Sequence, residues 1–95
     1  MIVRLVKMEF HEENLSVFYA LFETVRNQIR EFPGCMQLKL YSDKSDKSVI
    51  FTYSEWVSEE ALNHYRNSEL FMTTWTQTRK LFKAAPQAWS VEERI

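Results

Sequence analysis

Glycine is almost missing from this chain: of 95 residues only Gly34 lacks a side chain. Loops that cradle phosphates need several glycines so that backbone N–H groups can close on the anion, and one glycine cannot build such a loop. Nucleotide chemistry is therefore disfavoured, and no serine-elbow motif points to a hydrolase. Cysteine is as scarce. Cys35 alone cannot form an internal disulfide, and with His11 and His64 the only histidines there is no paired spacing for zinc or an iron–sulfur cluster. Neither sign of charge prevails, since 12 basic and 13 acidic residues leave a net charge of -1. No basic patch invites nucleic acid or an anionic membrane. Long apolar runs are lacking too: Met1 to Phe10 is interrupted by Arg4 and Lys7 and is far too short to span a bilayer. The expectation is a soluble, cytoplasmic protein with no membrane partner.

What the chain does have is apolar side chain. Hydrophobic residues make up 45% of it and aromatics 15%. A chain of this length is expected to form one domain, residues 1–95, and to bury only about two-thirds of its unfolded surface. That leaves more apolar material than one small core hides. It points to a homodimer in which a second subunit covers a sheet face that a single subunit leaves bare.

The stretch Phe32 to Trp56 organises the rest. Pro33 fixes its own φ and discourages helix at Phe32, and Gly34 permits a backbone conformation that other residues resist. From Cys35 to Tyr41 the residues alternate, with Met36, Leu38 and Leu40 on one side and Gln37, Lys39 and Tyr41 on the other, the period of a strand. Ser42 to Ser48 is polar and turns. Val49 to Trp56 resumes with Val49, Phe51 and Tyr53 on one face and Ile50, Thr52, Ser54 and Trp56 on the other. This is a hairpin with apolar groups on both sides.

Before it, Met1 to Phe10 reads as a first strand, and from Glu12 the period becomes helical. Leu15, Phe18, Phe22, Val25, Ile29 and Phe32 form a stripe about five turns long, with Asn14 as the expected N-cap. After it, Ser58 is placed to cap a short helix that opens with Glu59 and Glu60. Asn67-Ser68 marks a weak break, and Leu70, Phe71, Thr74, Trp75, Thr78, Leu81 and Phe82 continue on one helical face until Pro86. Gln87 to Ile95 gives a last strand, with Trp89 and Val91 opposite Ala88 and Ser90. The order β-α-β-β-α-β predicts an α+β, ferredoxin-like fold: a four-stranded antiparallel sheet with helices on one face. Pairing the open faces of two such sheets makes a dimeric α+β barrel.

Several of these segments resemble a known family. The F-P-G-C turn after a long first helix, the hairpin, the W-x-S-x-E-A-L segment Trp56 to Leu62 and the N-S-x-x-F segment Asn67 to Phe71 look like the antibiotic biosynthesis monooxygenase family. The resemblance spans nearly the whole chain and implies a small homodimer. It also implies a cofactor-independent monooxygenase that oxidises a small aromatic or quinol compound, or a non-catalytic ligand-binding or stress-related dimer of the same fold, or a lactone isomerase. The family's usual histidine, nine residues after the tryptophan of W-x-S, is replaced by Tyr65, with His64 one position earlier. The haem-degrading branch carries asparagine, tryptophan and histidine where this chain has Val6, Tyr65 and Trp75. Haem and other cofactors are therefore not expected, and neither is a bound metal.

The candidate catalytic residues are His64, Tyr65 and Trp75. His64 is a proton carrier or a plain surface residue. Tyr65 and Trp75 lie ten apart and point into the same space if the helix break is slight. Trp75 offers a stacking face and one N–H donor, or simply fills the core. Tyr19, Phe22, Tyr53 and Met72 are candidates for coating a pocket that takes a flat apolar molecule. Glu55 is a second candidate base, and Arg79 or Tyr65 could stabilise an oxyanion. Cys35 has no base near it in sequence to make it a nucleophile.

Overall fold

Period-2 patterning yields four strands and period-3.6 patterning three helices. The computed structural model describes all residues, 1–95. In chain order they are β1 (Ile2–Glu9), a 3-10 turn (Glu12–Asn14), α1 (Leu15–Arg30), β2 (Cys35–Ser42), β3 (Val49–Trp56), α2 (Glu59–Arg66), α3 (Glu69–Arg79) and β4 (Gln87–Val91). The sheet order is β2-β3-β1-β4 and every pairing is antiparallel, an α+β ferredoxin-like arrangement. No helix is long and apolar enough to cross a membrane.

The register sorts each strand into two faces. Arg4, Val6 and Met8 on β1, Leu38 and Leu40 on β2, Ile50 to Trp56 at alternate positions on β3, and Ala88 and Ser90 on β4 share the face beneath the helices. Two apolar clusters fill the space between. Met8, Phe10, Phe18 and Ile50 make one, and Val25, Ile29 and Leu38 make the other, with Phe22 packed against both. On the opposite face Val3, Leu5, Phe51, Tyr53, Tyr41, Trp89 and Val91 stand without a covering element. Trp89 and Tyr41 are 44% and 50% exposed there.

The turn into β2 is a type II turn. The Cys35 N–H donates to the Phe32 carbonyl at 2.9 Å, Pro33 takes the second position, and Gly34 takes the third at φ 89°. Five local expectations are revised. Met36 does not face the core: the register slips between Cys35 and Gln37, so Cys35 pairs opposite Trp56 and Met36 bulges out, 56% exposed. Asn14 stands at the start of α1 but makes no cap bond. Its Nδ2 instead donates to the Leu81 carbonyl at 3.2 Å and ties down the segment after α3. The break at Asn67-Ser68 is a full helix start, because the Ser68 hydroxyl accepts from the Phe71 N–H at 3.1 Å. Finally, α3 stops at Arg79, seven residues before Pro86, and β4 ends at Val91 rather than Ile95. Ser58 behaves as its position suggested, accepting from the Ala61 N–H at 3.1 Å.

Candidate functional site

A row of small side chains opens a space in the core. On the helix-facing side of the sheet, Val6 pairs with Thr52 on one flank and Ala88 on the other, while Arg4 pairs with Ser54 and Ser90. The next row toward one end holds Met8 and Ile50, and the row at the other holds Trp56. Helices rest on those larger groups, so the middle of the sheet is left uncovered by side-chain volume. The result is a cavity of about 310 Å³, at the small end of the range for ligand sites.

Its walls are mainly apolar, with Val6, Met8, Phe22, Phe71 and Trp75 around it and Trp56 at one end. Trp56 is fully buried and its Nε1 donates to the Ser54 hydroxyl at 2.9 Å. The Tyr65 ring stacks on it with centroids 4.9 Å apart, and Phe71 stacks on Trp75 at 5.9 Å. Arg4, Thr52, Ser54, Tyr65, Arg66, Thr74 and Thr78 are its polar lining residues. The Tyr65 hydroxyl makes no hydrogen bond within the chain, and burial, with a smaller push from Cys35, drives its pKa above the ordinary tyrosine value. Tyr65 therefore stays a neutral phenol, and its side chain forms part of the cavity wall. The cavity contains no aspartate, glutamate or histidine.

Of the residues singled out from sequence, Tyr65, Trp75 and Phe22 meet at this cavity. His64 does not line it. One position before Tyr65 on α2, its ring lies edge-on to Phe32 at 5.5 Å and it is exposed. Tyr19 and Met72 are 44% and 53% exposed and also stand outside. Tyr53 and Glu55 lie on the sheet's open face because β3 alternates, and there the Tyr53 hydroxyl donates to Glu55 Oε2 at 2.7 Å. Arg79 sits exposed at the end of α3. Cys35 donates to the Gln37 carbonyl at 3.7 Å, and burial raises its pKa against smaller opposing effects of that bond and of Arg30, so it stays a thiol. No three His, Cys, Asp or Glu side chains converge where a metal ion would sit. Sequence reasoning gave no role to Arg4 or Arg66, because only the sheet register and the end of α2 bring them to one cavity.

The family model for antibiotic biosynthesis monooxygenase matches residues 1–77, from β1 into α3. The chain belongs to the antibiotic biosynthesis monooxygenase family. Solved structures agree on the fold. One described as an antibiotic biosynthesis monooxygenase superposes with a TM-score of 0.93 at 16% identity and covers 100% of both chains. A conserved protein from Methanosarcina mazei Go1 gives 0.92 at 16% identity over 99% of this chain and 94% of its own. SnoaB, a cofactor-independent oxygenase from Streptomyces nogalater, solved as an N63A mutant, gives 0.87 at 14% identity over 99% and 93%. At these identities the likeness speaks for the fold alone. No curated protein matches the chain. For this family member the W-x-S segment has a structural meaning, since Trp56 is core and Ser58 caps α2.

Proposed function

We propose that this protein is a cofactor-independent monooxygenase that oxidises a small aromatic or quinol compound in the cavity, and that it works as a homodimer. The observation that carries the reading is the mainly apolar cavity lined by Trp56, Tyr65 and Trp75 in a member of a monooxygenase family. The reaction asks little of the protein. A quinol ring carbon exchanges C–H for C–O and the second oxygen atom leaves as water. All four electrons taken up by O₂ come from the ring, which ends as a hydroxyquinone. Holding the ring flat between aromatic walls and keeping water from it are roles within reach of these side chains.

Oxygen uptake with 1,4-naphthalenediol and anthrone, corrected for spontaneous oxidation, tests this. We expect acceleration by the protein, a drop of roughly tenfold in kcat/KM in Trp75→Ala through lost stacking, and no change in His64→Ala. The absence of an acidic or imidazole base from the cavity favours one second reading, a non-catalytic binder of the same ligands. Tight binding without any acceleration would select it.

The dimer reading is supported by the open face, where Phe51, Tyr53, Trp89 and Val91 have no cover within the chain. A second copy laid on it would bury two such faces against each other. Sedimentation at micromolar concentration is expected to give twice the 11.4 kDa of one chain. In Phe51→Lys the species is expected to shift toward the monomer, and a wild-type protein that sediments folded as a monomer would end this reading.

A further inference from the structure

Two guanidinium groups share the cavity wall, and neither has an acid to answer it. Arg4 comes from β1 and Arg66 from the last turn of α2, yet both line the same space. The chain's ion pairs are Arg26–Glu23 and Lys47–Glu12, with His11 also close to Glu13, so Arg4 and Arg66 take part in none. Glu69, three residues after Arg66, is not within ion-pair range of it. The one bond made by Arg4 is from Nη1 to the Ser90 hydroxyl at 2.9 Å, a neutral acceptor. Burial first, and then the charge of Arg66, hold the Arg4 pKa below its ordinary value. Arg4 is half-buried and Arg66 exposed, and two like charges that act on each other disfavour one another, which a negative group between them would relieve. Arg66 has a general reason to be where it is, because cations suit a helix C-terminus. Arg4 has none: it occupies a central strand, on the side that faces the core.

We propose that Arg4 and Arg66 together bind an anionic oxygen on the ligand, so that the cavity's substrate is an aromatic acid or an ionised aromatic hydroxyl compound rather than a neutral ring. This inference rests on the cavity being the binding site, and it supplies what the site otherwise lacks. With no carboxylate or imidazole on the walls to take a proton, a substrate that must be an anion to pass electrons to oxygen has to arrive ionised or ionise beside positive charge. Guanidinium forks are suited to that task, since they stay charged and present paired donors to a carboxylate or enolate. The ring then lies against Trp75 and Tyr65, and the anionic end points toward β4 and the end of α2.

Calorimetry with two matched pairs of redox-inert or fully oxidised probes tests it. The first pair is 2-naphthoate and 2-naphthamide; the second is 2-hydroxy-1,4-naphthoquinone, ionised at neutral pH, and its 2-methoxy ether. We expect the anion of at least one pair to bind about tenfold tighter than its neutral partner, with the preference shrinking as salt rises. The pair that discriminates tells carboxylate from ionised hydroxyl. Arg4→Gln and Arg66→Gln are each expected to weaken anion binding while leaving the neutral probe within twofold, and the double variant to erase the preference. Arg66→Lys should keep part of it. Equal binding of charged and neutral probes by the wild type overturns the anion site while leaving the cavity reading intact. So does a preference that persists in the folded double variant. If no probe binds at millimolar concentration, the cavity reading falls and this inference with it. Should the Arg4→Gln chain fail to fold, the wild-type salt dependence and Arg66→Gln decide the matter.

Discussion

Gly34→Ala is expected to cost about 3 kcal/mol of stability, from a left-handed backbone strain of roughly 1–2 kcal/mol and overpacking of similar size. Two independent facts put the cost there. The φ of 89° lies where L side chains are strained, and the type II turn requires it. A Cβ on Gly34 would also stand 2.5 Å from the Ala61 Cβ and 3.2 Å from Val57 Cγ2. Ala61 sits in the first turn of α2 and Val57 just before its Ser58 cap, so the substitution pushes on the helix that carries Tyr65. Thermal unfolding should show a Tm lower by about 15 °C, given roughly 4–8 °C per kcal/mol for a domain of this size. Pairing it with Ala61→Gly separates the two causes. Ala61→Gly alone loses about 1 kcal/mol of helix propensity, but in the Gly34→Ala background it removes the collision, so the double variant is expected to be more stable than the sum of the singles. Strict additivity would mean that the turn shifts freely and α2 is not propped on it. A Gly34→Ala protein as stable as the wild type would refute the strain altogether.

That turn also marks how far pattern reading reached. The Pro33-Gly34 pair, the alternation in Val49 to Trp56 and the stripe from Leu15 to Ile29 each state a backbone preference locally, so the order of elements and the sheet-plus-helices fold could be read without coordinates. Met36 could not, because a bulge shifts which residues alternate and leaves no mark in composition. The cavity was written in the sequence as Thr52 and Ser54 between Ile50 and Trp56, and as Ala88 and Ser90 on β4. Small residues signal a void only when the register lays them side by side, and register joins strands far apart in the chain. The same holds for Arg4 and Arg66. His64 is the reverse case: chemistry suggested it, but it lies outside the cavity that its neighbour Tyr65 lines, since consecutive helical residues point about 100° apart.

Trp56→Ala is expected to be the most damaging single change, costing about 4 kcal/mol in a protein whose total stability lies on the order of 5–15 kcal/mol. The side chain is completely enclosed, stacks on Tyr65 and meets the edge of Phe32 at 6.5 Å. Removing it deletes the contacts with both rings and joins the vacated volume to an existing cavity, so the neighbours have little to collapse onto. Denaturant titration should show the midpoint falling sharply at nearly constant slope. Trp56→Phe isolates a different term. It keeps a ring against Tyr65 but leaves the Ser54 hydroxyl, buried at 8% exposure, without the indole N–H that now donates to it. That change should cost roughly 1–2 kcal/mol, and Trp56→Phe combined with Ser54→Ala should recover part of it by removing the orphaned acceptor. The three variants also separate fold from site. Both Trp56→Phe proteins remain folded with α2 in place and Arg4 untouched, so charged aromatic probes should still outbind neutral ones in them. In Trp56→Ala the loosened α2 carries Arg66 away, and that preference should shrink together with stability. A Trp56→Ala chain within 1 kcal/mol of the wild type would show that α2 and the hairpin hold together without the tryptophan, and the packing that frames the cavity would have to be assigned to other contacts.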